Sequence, residues 1–172
     1  MKPKIGERTY IAPTAVIVGD VRIEEGVSIW DGAVLRGDES YIVVGKNSNI
    51  QDNAVIHVSK DTPTIIGENV TVGHLAMVHA ARIEDNVIIG IHAVVLDNAV
   101  IGEGSIVGAG AVVTPGTEIP PNSLVLGIPA KVVRRGDDIR KMAIENGLIY
   151  QRLRDEHREG KYVRYSGNNN AP

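Results

Sequence analysis

Aliphatic residues recur along this chain at every sixth position. They stand at Ile11, Ile17, Ile23, Ile29 and Leu35, and again at Ile83, Ile89, Val95, Ile101, Val107, Val113, Ile119 and Val125. Four residues after each comes a second inward position. In the first run it holds Ala15, Val21, Val27, Ala33 and Glu39; in the second, Val87, Ala93, Ala99, Ser105, Ala111, Thr117, Ser123 and Pro129. A helix repeats every 3.6 residues and a strand every two, so neither alone sustains a beat of six over so many cycles. Three hexads make a triangular coil of about 18 residues, and stacked coils pair backbone to backbone about 4.8 Å apart. A β-sandwich of irregular short strands would not keep this phase. The pattern therefore predicts an all-β fold, a parallel β-helix of hexapeptide repeats over residues 1–135. Glycines at 19, 26, 32, 73, 90, 102, 104, 108, 110 and 116 fall where corners can use positive φ.

The beat breaks in three places. The step is fifteen from Leu35 to Ile50, ten from Ile56 to Ile66 and five from Val78 to Ile83. A solenoid accommodates extra residues as loops on its outside, and such loops often carry function. After Pro129 the period changes. Ile139, Met142, Ala143, Asn146, Tyr150, Leu153 and His157 follow helical spacing, which predicts one amphipathic helix over 137–159, within a segment 136–160 packed on the prism. Asp137 or Asp138 is the expected cap, and Gly147 is a weak point costing about 1 kcal/mol relative to Ala. A flexible tail is expected over 161–172, disordered from Ser166 to Pro172.

Composition narrows the chemistry. The 172 residues suit one domain, and the absence of Phe, with a single Trp, leaves small and β-branched residues to fill a narrow interior. There is no cysteine, so a metal must be held by nitrogen and oxygen donors. The net charge of −3 gives no field to attract nucleic acid or acidic lipid. Met1 to Gly19 has no apolar core after a basic start, and no stretch approaches the roughly 20 apolar residues of a membrane span. A cytoplasmic address is expected.

Four of the five histidines lie between 57 and 92. His57 follows Ile56 and His79 follows Val78, so both occupy the outward second place of a hexad. Ile56 and Val78 are 22 residues apart, one coil plus four extruded residues. The two imidazoles should therefore stack about one strand spacing of 4.8 Å apart, close enough to share an ion. His74, near the corner of the preceding face, is badly placed to close on that ion within its own chain. A head-to-tail contact around a threefold axis would let a neighbouring chain donate it, so a homotrimer is expected. An isolated outward histidine is usually a solvated surface residue; three at stacked and adjacent positions beside the phase breaks are not isolated. At the same level lie Arg36, Asp38 and Glu39, which open the first insertion, and Gln51, Asp52 and Asn53. Glu39 falls where the repeat asks for a small inward residue, and Arg36 with Asp38 suits an ion pair across subunits. His92 and His157 read as structural.

With these residues in place, the sequence resembles the gamma-class carbonic anhydrases over nearly its whole length, through Leu126-Gly127-Ile128-Pro129-Ala130-Lys131 to the last helix. The resemblance implies a left-handed β-helix with a C-terminal α-helix, assembled as a homotrimer. The family's Arg-x-Asp-Glu motif looks like Arg36, Asp38 and Glu39, and its Gln-Asp pair like Gln51 and Asp52. The metal ligands it implies are His57, His74 and His79, with His74 from the adjacent subunit, and Tyr150 resembles a helix tyrosine that reaches the site. What it implies chemically is zinc-dependent hydration of carbon dioxide to bicarbonate by a metal-bound hydroxide. Three imidazoles leave a fourth zinc position for water, whose pKa falls to about 7, a magnitude known from carbonic anhydrase itself. Gln51 would orient the hydroxide, Glu39 would pass protons, and Arg36 would hold the product anion. Iron or cobalt could take the same ligands.

One departure bears on turnover. The family's founding type has a long acidic loop after its first histidine ligand, whereas only Val58 to Pro63 stands here, and Lys60 and Asp61 offer no evident replacement. Two rivals share the fold. One is an acyl-CoA-dependent acyltransferase or thioesterase, which has no need of three stacked ligands; the other is a non-catalytic metal-binding scaffold trimer.

Overall fold

The computed structural model describes residues 1–165. Expectations for 166–172 lie outside the described residues. The aliphatic beat becomes three ladders. On the first face Ile17 pairs with Leu35, then Ile56, Val78, Val95 and Val113 follow in register. On the second, Ile5, Ile23, Val44, Ile66, Ile83, Ile101 and Ile119 stack. On the third, Ile11, Ile29, Ile50, Val72, Ile89, Val107 and Val125 do so. All these pairings are parallel, as a coil that always winds the same way requires. Long strands Val16–Ile23 and Val34–Val44 turn a corner and join the first two faces into one sheet of eleven strands. The third face has eight, the last being the antiparallel strand Lys131–Arg135.

From Val21 onward the inward side chains form one continuous buried core. Each fully buried Val, Leu or Ile contributes about 1.5–3 kcal/mol of transfer free energy. The second inward position is small because three walls converge there: Ala33, Ala54, Ala76, Ala93 and Ala111 are all buried.

The phase breaks have local explanations. Gly19 pairs with Gly37 but Asp20 pairs with Tyr41, so residues 38–40 are extruded as a bulge. Glu39 is therefore exposed on that bulge and does not enter the core, because the strand absorbs three extra residues by looping them outward. The four extra residues of the second break close on themselves through paired backbone bonds between Ser59 and Thr62, of 3.2 and 3.0 Å.

The glycines divide into two kinds. Gly26 has φ +71° at a corner, and Asn47 takes the same left-handed conformation one coil on. Gly90 has no positive φ; a Cβ there would lie 2.6 Å from the Val107 carbonyl oxygen, so coil stacking itself demands glycine.

The helix α1 runs Asp137–Arg158 and lies on the third face, burying Ile139, Ala143, Gly147 and Arg154. Its N-cap is Gly136, with no side-chain cap bond. The aspartates expected to cap instead stand in the first turn, where Asp138 forms two bonds to Arg134 at 3.0 and 2.6 Å. Their charge still favours the positive helix end. His157 packs among Tyr10, Trp30 and Tyr162, with ring centroids 4.8–5.1 Å apart.

Candidate metal centre

His57 and His79 are the last residues of the first-face strands Val55–His57 and Met77–His79, and they pair directly in register. Both rings point out of the prism, and Nδ1 of His57 lies 3.0 Å from Nε2 of His79. Each ring is tethered by its other nitrogen. Nε2 of His57 is 3.1 Å from Asp38 Oδ1, and Nδ1 of His79 is 2.6 Å from Asp97 Oδ1. An ionised carboxylate only accepts, so each aspartate takes the N–H of the ring nitrogen it touches. The nitrogens that face each other are then both lone pairs, which repel at this distance unless a proton or a cation lies between them.

Both carboxylates stay ionised. Burial raises the pKa of Asp38, but hydrogen bonds from Arg36 and His57 outweigh it and hold it below 3.8. The Ser59 hydroxyl holds Asp97 below 3.8 against some burial, with help from His79. Arg36 pairs with Asp38 of its own chain, where a pair across subunits was expected: both side chains leave the same strand two residues apart.

His74 lies elsewhere. It stands in the turn after strand Thr71–Val72 on the third face, five residues before His79. A turn at His74 and Leu75, with Leu75 at φ +61°, separates that face from strand Met77–His79 on the first. His74 nevertheless repeats the tethering of the other two: Nδ1 is 2.9 Å from Asp52 Oδ2. Its Nε2 faces the Tyr150 hydroxyl at 3.5 Å. Burial, and then the Asp52 charge, raise the Tyr150 pKa above 10.0, so the phenol stays neutral. Tyr150 is held edge-on against Trp30, centroids 5.8 Å apart.

Gln51 is buried behind His74. Its Oε1 accepts the His74 backbone N–H at 3.2 Å, and its Nε2 donates to Asn49 Oδ1 at 3.0 Å. Asn49 donates to Thr71, and Thr71 to Asn146 on α1, each at 2.9 Å. This buried ladder joins the His74 turn to the helix. It was missed in the sequence, as were Asp97 and Ser59. Leu96 is the register neighbour of His79 by coil counting, and Asp97 is next to it, so the signal was there for Asp97 alone.

The donor set suits zinc. Bonds of 2.0–2.1 Å at a tetrahedral angle put two ligand nitrogens about 3.3 Å apart, and the His57–His79 pair is within a few tenths of that. Among the described residues, no group of three or more His, Asp or Glu side chains in the single chain is disposed to hold an ion. The donors present are the two facing imidazoles, with His74 held apart.

A family profile described as bacterial transferase hexapeptide (six repeats) matches residues 2–37 and 80–115. A probable carbonic anhydrase of Methanocaldococcus jannaschii is 56% identical over 87% of this chain and 94% of its own length. A carbonic anhydrase of Geobacillus kaustophilus is 47% identical over 90% of this chain and 89% of its own. The mitochondrial gamma carbonic anhydrase 2 of Arabidopsis thaliana is 43% identical over 79% of this chain, which spans about half (51%) of that protein. Near-complete coverage of two relatives at such identity, on a hexapeptide β-helix, places the chain in the gamma-class carbonic anhydrase family.

Proposed function

We propose that this protein catalyses the reversible hydration of carbon dioxide to bicarbonate at zinc sites shared between protomers of a homotrimer. His57 and His79 of one protomer and the partner subunit's His74 are the ligands. One observation carries the reading: each of the three imidazoles has an aspartate on one ring nitrogen, Asp38, Asp52 and Asp97 respectively for His57, His74 and His79. Carboxylate-backed imidazoles are the usual form of histidine metal ligands, because the backing fixes the tautomer and raises ligand basicity. The separation of His74 from the other two supports a site completed between chains.

Bound zinc would supply the Lewis acidity that makes water a nucleophile near neutral pH. The chain's own groups would do the rest. Gln51 keeps one amide hydrogen beyond its bond to Asn49, and this would orient the attacking water. Exposed Glu39, on the bulge beside Asp38, would accept the released proton and pass it to solvent. Arg36, neutralised in part by Asp38, would hold the bicarbonate anion loosely enough for release. Neutral Tyr150 would offer a hydroxyl beside His74 without adding charge. Iron or cobalt suits the same ligands.

The test combines elemental analysis, sizing in solution and carbon dioxide hydration followed with a pH dye, with zinc and then with cobalt or iron. One metal per protomer, a trimer and turnover are expected. The hexapeptide profile is named for transferases, so metal content also separates the acyltransferase rival, which has no need of an ion. A metal-loaded trimer without turnover would leave the scaffold reading.

A further inference from the structure

Asp97 and Ser59 lie outside every motif that marks the site in the sequence, yet they meet at its edge. Asp97 follows the first-face strand Val94–Val95, one coil beyond His79. Its two oxygens are divided: Oδ1 accepts from His79 Nδ1 at 2.6 Å, and Oδ2 accepts the Ser59 hydroxyl. Ser59 comes from the short closed turn just after His57. The turn is thus tied, through one carboxylate, to the histidine of the next coil. The side chains of His79 and Asp97 are 23% and 36% exposed, so both bonds are partly shielded from competing water.

We propose that Asp97, braced by the Ser59 hydroxyl, is a positioning residue for His79. It keeps the proton on Nδ1, so that the Nε2 lone pair is always presented toward His57. An imidazole without such a partner divides its population between two tautomers, and in one of them Nε2 carries hydrogen and cannot bind a metal. The brace matters because a lone carboxylate rotates freely about its last bond, whereas one anchored at both oxygens holds a fixed plane. The compact turn after His57 therefore has a structural task, bracing the second histidine of the pair. This inference rests on the zinc reading, but its first consequence is visible in metal-free protein.

The test uses the full-length protein and the variants Asp97→Asn and Ser59→Ala, both checked for size and circular dichroism. In metal-free protein at about pH 8, long-range nitrogen–proton NMR of the His79 ring should report the Nδ1–H tautomer in the parent. That preference should weaken in Asp97→Asn, whose neutral amide oxygen is a poorer acceptor and whose amide nitrogen competes for the same place. Zinc affinity, read by competition with a chromophoric chelator, should fall about 10- to 100-fold in Asp97→Asn, with a smaller fall in Ser59→Ala. An unchanged His79 tautomer in Asp97→Asn overturns the proposal, as does zinc affinity within twofold of the parent. If the parent binds no zinc, the zinc reading fails by itself. The tautomer measurement then still decides whether Asp97 positions His79.

Discussion

His57 and His79 are 22 residues apart in the chain and direct partners across two neighbouring coils, with facing nitrogens 3.0 Å apart. Both rings point outward, so replacing either by Ala removes a proposed ligand without opening the core. His57→Ala and His79→Ala should keep the circular dichroism of the parent and lose nearly all bound zinc by elemental analysis. A His79→Ala protein with full zinc content would refute the assignment.

If His74 serves the neighbour's site, His74→Ala and His57→Ala damage different halves of each interface. Either variant alone should bind almost no zinc. Coexpressed in equal amounts, they should form mixed trimers in which about a quarter of the interfaces combine two intact halves. Zinc content and carbon dioxide hydration should return to about that fraction. No recovery in verified mixed trimers would show that His74 is not a shared ligand.

Gly147 lies in the middle of α1 and is buried against the third face. A Cβ there would lie 3.5 Å from the Asn69 carbonyl oxygen, an ordinary contact, and its backbone is not left-handed. Gly147→Ala should therefore stabilise the protein by about 0.5–1 kcal/mol, because alanine loses less conformational freedom on entering a helix. The urea midpoint should rise with the slope unchanged.

Arg154 reaches from α1 to a corner of the prism and is only 3% exposed. Its Nη1 donates to the Gly26 carbonyl at 2.6 Å and to Asn47 Oδ1 at 3.2 Å. Arg154→Met keeps most of the volume but leaves the Gly26 carbonyl without this donor, and should cost about 1–3 kcal/mol in chemical denaturation.

Asp155 accepts two 2.9 Å bonds from Arg154, which hold its carboxyl below the ordinary 3.8. A depressed carboxylate contributes stability that is present above the unfolded pKa and lost as pH falls through the folded one. The decline should begin near pH 3.8 and continue below it. Asp155→Asn should flatten this acid limb by lowering the urea midpoint above about pH 5, where the parent holds the contribution in full, and should converge on the parent at acid pH.

The coil count from Ile56 to Val78, with four residues set aside, was enough to stack His57 on His79, and the three aliphatic ladders follow the beat read from Ile11 onward. The helix was legible in the same way, ending one residue earlier than expected. Glu39 stood out as a break in the rule, but a beat cannot say whether an extra residue enters the strand or, as here, is pushed out of it. Gly90 was misread because a corner glycine and a glycine against the next coil look alike in sequence.

By itself, then, the sequence determined the prism, since a period of six admits one kind of stacking and each buried aliphatic residue repeats the instruction. It also determined which histidines stand together, because coil geometry turns sequence distance into height. Only the tertiary structure decided what each imidazole does with its second nitrogen. Asp38, Asp52 and Asp97 reach their partners through side-chain rotations and bulges that obey no period, and the same holds for Arg154 at Gly26. Such contacts depend on directional bonds of about 3 Å, which a pattern of apolar spacing does not encode.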